Sequence, residues 1–239
     1  MAASIAALAL AGGGVAGYSV YQTSQASAEA AAQASSYKPS APSIAPNWPA
    51  MAVVGDSFAM KRDDAWPYRS AFCTGHFLAL SGVGGSGFWN DGKGERYAAP
   101  ARIAEVMQYD PDIIVLESAY NDSFRAEKMS WRLKQHVLET IKAYQKAAPK
   151  AKIVVFGPIW AIQRPTVGIE NNREVLESAA KETGVLYVDG LGLLPDSTYT
   201  GKDLKHPNAK GHVQITSRLV GALKKAGMTG SNGCENVSV

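Results

Sequence analysis

The sequence predicts an α/β fold: a five-stranded parallel sheet covered by helices on both faces. Three observations lead there. Short apolar runs alternate with helical patterns between residues 51 and 228, the order that yields a parallel sheet. The run Ile113-Ile114-Val115-Leu116 has no polar interruption, as a strand buried on both faces requires. Four short polar or glycine-rich blocks fall after apolar runs or just before the last helix, at the rim where such sheets build their sites.

Taken in order, residues 51–54 form the first strand. Trp66-Pro67 opens a helix, with Asp63 or Asp64 as its cap and proline in the first turn, where its missing N–H costs little. Residues 77–80 are the second strand, and 100–107 a helix that ends before Asp110-Pro111. The third strand is 113–116. Leu133, Val137, Ile141 and Tyr144 then recur at helical spacing opposite a Lys/Glu face, until Pro149 stops the helix. Residues 153–156 are the fourth strand, 175–181 lie in a helix, and 185–188 are the fifth strand. Residues 209–226 make the final helix, closed by Gly227. No internal repeat interrupts this order.

The flanks differ in composition. Residues 2–20 are rich in Ala, Gly and Leu and carry no charge, which fits a secretion h-region or a marginal span of about 20 residues. No Lys or Arg precedes them, so the basic start of a signal is missing, although Ala26-Ser27-Ala28 offers a small-residue cleavage site. We read residues 1–22 as a signal or anchor, the competing reading being an Ala-rich tail, and expect an extracytoplasmic protein. Residues 23–49 form an Ala/Ser/Pro-rich linker punctuated by Pro39, Pro42, Pro46 and Pro49, suited to a membrane or cell-wall tether. The folded domain spans 50–228, and 229–239 form a C-terminal tail. In an exported chain the two cysteines, Cys73 and Cys234, are expected to form one disulfide that pins the tail. Closing so long a loop is worth about 4–5 kcal/mol in the chain-entropy picture. A net charge of +3 with scattered basic residues supplies no stripe for nucleic acid. No Cys/His spacing suits a metal site.

The four blocks each supply one part of a nucleophilic site. Gly55-Asp56-Ser57 follows the first strand, so a strand-to-helix turn exposes the Ser57 hydroxyl; Asp-Ser there is also good helix-cap chemistry. Among four histidines, His206 alone has a carboxylate three residues earlier, Asp203, and a proline directly after it. That spacing lets Asp203 reach Nδ1 and leaves Nε2 for Ser57. His136 reads as a surface position, His76 as a helix-end position beside Gly75 that favours a cation, and His212 as internal to the last helix. An oxyanion could be held by the Ser57 N–H, by a glycine N–H within residues 82–87, and by the Asn121 amide. Gly85 is the preferred glycine and Gly84 its rival. A phosphate loop is disfavoured, because no Lys-Ser/Thr follows the glycines.

In this order the blocks resemble those of the SGNH hydrolase superfamily, the GDSL esterases and lipases. The matching residues are Ser57, Gly85, Asn121 and His206 with Asp203, and the similarity spans about residues 50–227. The resemblance implies a three-layer, flavodoxin-like α/β/α sandwich that hydrolyses or transfers acyl esters without metal or organic cofactor. Two positions depart from the family pattern: Phe58 stands for Leu, and Ala119 for the Gly that usually opens the third block. We expect a monomeric serine esterase for short acyl esters, acetyl above all, on small or glycan substrates of the cell envelope. An O-acyltransferase and a non-catalytic surface-binding module are the alternatives. Phe58, Phe88, Trp89, Tyr120 and Trp160 neighbour the blocks and are candidates to line the site.

Overall fold

The computed structural model of the protein describes residues 48–61, 64–161 and 167–229. The 1–22 segment, nearly all of the 23–49 linker, Asp63 and Cys234 lie outside the described residues. Strand β1 (Ala50–Gly55) is buried along its whole length. It pairs in parallel with β2 (Phe77–Gly82) on one side and β3 (Ile113–Glu117) on the other. β4 (Lys152–Phe156) and β5 (Leu186–Val188) continue beyond β3, giving the order β2-β1-β3-β4-β5. The direction of winding therefore reverses between β1 and β3, and that reversal leaves a crevice at the carboxyl ends of these strands.

Alternation along each strand divides the core. Met51, Val53, Val115 and Val154 face α1 (Trp66–Cys73) and α5 (Ala209–Lys225), meeting Trp66, Ile215, Leu219 and Leu223. Ala52, Val54, Ile114 and Leu116 face α2 (Pro100–Met107), α3 (Ser123–Ala147) and α4 (Val167–Thr183). The result is the three-layer α/β/α sandwich, and Leu133, Val137, Ile141 and Tyr144 form the buried stripe of α3 as their spacing requires. Among the described residues, no helix is long and apolar enough to cross a membrane.

Differences from expectation are local and have identifiable causes. β1, β2 and β3 run one or two residues further, to Gly55, Gly82 and Glu117, so the ladder reaches into the motif blocks. β5 starts at Leu186 because the Val185 N–H is taken by the Ala180 carbonyl in the turn that closes α4 at Gly184 (φ +70). The N-cap of α1 is Ala65 rather than Asp64, and the Trp66 N–H donates to His212 Nδ1 of α5 at 3.3 Å. His76 is not a helix-end cation. It is buried against Thr74 Oγ1, and burial pushes its imidazole below the usual range. His136 is half-buried rather than free on the surface, packed on the Trp89 ring. α3 begins ten residues before Leu133 and breaks helical geometry at Met129. Cys73 is buried at the end of α1, and the partner expected for it, Cys234, is not among the described residues.

Candidate active site

The first block leaves the sheet as a tight elbow. Asp56 caps a one-turn 3-10 helix (Ser57–Ala59) by accepting the Phe58 N–H at 2.8 Å, and its own N–H donates to Glu117 Oε2 at 3.1 Å. Gly55 is required by that approach. A Cβ there would lie 2.5 Å from Glu117 Oε2 and 2.6 Å from the Ala59 methyl. We expect Gly55→Ala to cost about 2–3 kcal/mol, the upper range for overpacking, read as a lowered urea midpoint at unchanged m-value. A neutral substitution would show that the elbow is looser than this geometry.

The last block meets this elbow from the far end of the chain. An isolated antiparallel bridge between Thr200 and Pro207 closes the loop before α5, and Gly201 N–H donates to the His206 carbonyl at 2.8 Å. Asp203 Oδ1 accepts the Lys205 and His206 N–H groups, each at 3.1 Å, with Leu204 held at φ +57 between Asp203 and Lys205. The other oxygen, Oδ2, receives His206 Nδ1–H at 2.5 Å. This leaves Nε2 as the acceptor for the Ser57 hydroxyl, 2.8 Å away across 149 residues of sequence. The hydrogen bond from His206 holds the Asp203 carboxyl down at about 2. Side chains of His206 and Asp203 stay 42% and 49% exposed, so the relay is open to water.

The candidate oxyanion donors lie on segments that meet the elbow. The register pairs Gly55 with Gly82, so the glycine loop leaves the sheet beside the elbow. Gly85 has φ +78, the left-handed region that glycine enters without strain. Its carbonyl is held by Asn90 Nδ2 at 3.1 Å, and the Gly87 N–H donates to the Asn90 carbonyl at 2.8 Å, so Asn90 braces the loop at two points. The Asn121 amide is brought to the same place but is already engaged. It donates to Asp56 Oδ2 at 2.6 Å and to the Ser86 carbonyl at 3.0 Å. Asp122 fixes the loop from below, accepting the N–H groups of Phe88, Trp89 and Asn90 at 2.7, 3.3 and 3.0 Å. Ala119 is buried without positive φ, so the position that is glycine in the family pattern needs no glycine here.

A buried polar network beneath the elbow escaped sequence reasoning. Arg102 is 3% exposed and donates to Ser81 Oγ (3.1 Å), Ser86 Oγ (2.8 Å), the Glu95 carbonyl (3.1 Å), the Gly55 carbonyl (2.9 Å) and the Ser81 carbonyl. It thereby ties α2 to both the elbow and the glycine loop. Near it lie the carboxyls of Asp56 and Glu117. Burial pushes Asp56 up to about 7 and Asp122 to about 6, and raises Glu117 well above the carboxylate range. An isolated arginine in a helix pattern and a strand-end glutamate carry no sequence signal of this role.

These raised groups fix a sign for stability against pH. Folded Asp56 and Asp122 retain protons that the unfolded chain releases near pH 4, so stability falls as pH rises from about 4 to about 7. Asp203, with its depressed value, works oppositely, and its share is lost below about pH 4. Asp56→Asn should flatten the decline of Tm between pH 4 and 7. An unchanged slope in that variant would remove Asp56 as its source.

The aromatic residues divide by burial. Phe58 and Phe88 are 2% and 1% exposed and belong to the core, so they do not line the site. Phe58 instead backs His206 (ring centroids 5.3 Å) and Tyr120 (5.7 Å), which gives the residue that replaces leucine a packing role. Tyr120 and Trp160 are half-buried and stack edge-on at 4.6 Å beside Asn121. Among the described residues, no group of three or more His, Cys, Asp or Glu is arranged to hold a metal ion.

Known proteins share this fold. Residues 53–214 match the GDSL-like lipase/acylhydrolase family. The GDSL lipase Rv0518 of Mycobacterium tuberculosis is 24% identical over 187 residues, covering 71% of this chain and 79% of the relative. Among solved structures, a family two carbohydrate esterase from Clostridium thermocellum in complex with cellohexaose superposes with a TM-score of 0.60 at 18% identity, over 77% of this chain and 67% of that one. TesA gives 0.56 at 18% identity, over 74% and 98%. The salicylyl-acyltransferase SsfX3 from a tetracycline biosynthetic pathway gives 0.58 at 18% identity, over 77% of this chain but only 57% of its own length. By its sequence match and its fold, the chain belongs to the GDSL-like lipase/acylhydrolase family of the SGNH hydrolase superfamily.

Proposed function

We propose that the protein is an extracytoplasmic serine esterase that removes short acyl groups, acetyl above all, from cell-envelope glycans. The observation that carries the reading is the 2.8 Å approach of His206 Nε2 to Ser57 Oγ, with Asp203 on the opposite ring nitrogen. Ser57 Oγ attacks the ester carbonyl and passes its proton to His206; the charge that develops on the imidazole is balanced by Asp203. The oxyanion is held by the Ser57 and Gly85 N–H groups. The Asn121 amide joins them by exchanging its longer bond, that to Ser86, for the substrate oxygen. His206 then protonates the departing alcohol, and water, activated by the same imidazole, releases the acid from Ser57.

The exposure of the relay favours water over a sugar hydroxyl as the acceptor, and so hydrolysis over transfer. The glycan part of the reading is supported by the half-exposed Tyr120 and Trp160 and by the carbohydrate esterases among the structural relatives. The extracytoplasmic part rests on the uncharged residues 2–20 and the linker that follows. A fluorophosphonate probe tests the core claim: mass spectrometry should locate a single phosphonyl adduct on Ser57. An unlabelled Ser57 in folded protein would reject the esterase in favour of a surface-binding module.

A further inference from the structure

Trp89 sits at the outer edge of the glycine loop, and its ring is crowded by cations. The Arg125 guanidinium lies 4.7 Å from its centroid and that of Arg132 5.5 Å, while the His136 ring packs at 5.1 Å and 33°. Arg96 and Arg132 both act electrostatically on His136. The neighbouring carboxylate that pairs with this group is Glu139, 3.4 Å from His136 Nδ1. Among the described residues, none of Arg96, Arg125 and Arg132 has a carboxylate within ion-pair distance. Two guanidiniums held on one ring repel one another; the buried Asp122 carboxyl acts on Arg125 and Glu139 on His136, and a bound anion would relieve the repulsion further.

The indole itself is not a free platform for a sugar face, because its surroundings are already taken by two guanidiniums and an imidazole. It acts as a scaffold that orients them, the stacking for which arginine is suited and lysine is not. The cluster is joined to the reaction centre by short links. Arg125 Nη2 donates to Asn90 Oδ1 at 3.3 Å, and Asn90 Nδ2 donates to the Gly85 carbonyl at 3.1 Å. Two hydrogen bonds thus separate Arg125 from the oxyanion loop.

We infer that Arg125 and Arg132, arrayed on Trp89, form together with Arg96 an anion subsite that selects esters carrying a second group, a carboxylate or a phosphate, near the scissile bond. The inference builds on the esterase reading and narrows its substrate class to acidic esters.

Two ester pairs test it on the full chain, each pair differing only by a carboxylate against its methyl ester. 4-Acetoxybenzoate places the charge on the alcohol side, and the 4-nitrophenyl monoester of succinic acid places it on the acyl side. For at least one pair the charged member should show a KM about tenfold lower, the scale of one charge-assisted hydrogen bond. The double variant R125Q/R132Q should erase that preference, read as the ratio of the two KM values, because any change the Asn90 link passes to the oxyanion loop falls on both members of a pair alike. No charge preference in the unaltered protein, or a proportional loss on both members in R125Q/R132Q, overturns the subsite. Should none of the four esters react, the esterase reading fails separately. Calorimetric binding of inorganic phosphate to the Ser57→Ala chain then decides: binding that R125Q/R132Q abolishes supports the subsite, and no binding rejects it.

Discussion

Replacing Ser57 with alanine is expected to lower kcat/KM for a short acyl ester by about 10⁴–10⁶, with thermal stability unchanged within about 1 °C. The loss is large because the remaining parts of the relay have nothing to act on. His206 would keep its hydrogen bond to Asp203, but without an acyl-enzyme it can only direct water at the ester. Stability should not move, because the Ser57 side chain's one hydrogen bond runs to a half-exposed imidazole rather than into the core. His206→Ala should cost a similar factor, and the double variant no more than either alone, since the two groups act as one unit. Asp203→Ala should cost less, about 10²–10⁴. Asp203 is half-exposed, so water can partly replace it at Nδ1, and the 203–206 turn loses two backbone acceptor bonds as well as the carboxylate. Activity of Ser57→Ala within tenfold of the unaltered protein would reject the assignment, and so would a double variant whose loss is the product of the single losses.

Much of this arrangement is legible in the chain because its determinants are local. A four-residue apolar run followed by Gly-Asp-Ser specifies a buried strand and then a turn. Asp203 and His206 lie three residues apart, so one Asx-type turn is enough to bring them together. The alternation of strands and helices then places these local pieces on one rim, and adjacent strands β2, β1 and β3 each deliver one block. What could not be read depends on contacts between segments distant in sequence. Asn121 reads as a free donor, but in the fold its amide is claimed by Asp56 and the Ser86 carbonyl, 65 and 35 residues away. The capping of α1 by His212 spans 146 residues, and no N-terminal cap pattern encodes it. Phe58 and Trp89 look equivalent as aromatic neighbours of a motif. Burial makes one a core residue and leaves the other partly exposed under a cluster of arginines.

Arg102→Met is expected to have the largest effect on stability. It removes five donated hydrogen bonds from a side chain that is 3% exposed. Three of these satisfy the Gly55, Ser81 and Glu95 carbonyls, of which those of Gly55 and Ser81 lie on buried residues with little water to substitute, and the guanidinium also acts electrostatically on the buried Asp56 and Glu117 carboxyls. Breaking a buried charge network by deleting one member costs about 3–5 kcal/mol, against which methionine recovers part of the packing along the arginine stem and over Tyr97. For a domain of this size that corresponds to a Tm lower by about 8–15 °C. The pH dependence should change as well. Arg102 lowers the proton affinity of both Asp56 and Glu117, so without it they hold protons to higher pH, and the decline of stability with rising pH extends above 7. Arg102→Lys keeps the charge but can donate at most three bonds, and should fall between the two. Activity measured well below the new Tm should also drop, because Arg102 holds the elbow carbonyl of Gly55 and the Ser86 hydroxyl in one fork and so sets the distance between nucleophile and glycine loop. A Met variant with a Tm within about 2 °C of the parent would mean that the network contributes nothing net. A destabilised variant with full activity at low temperature would mean that it supports the core but not the site.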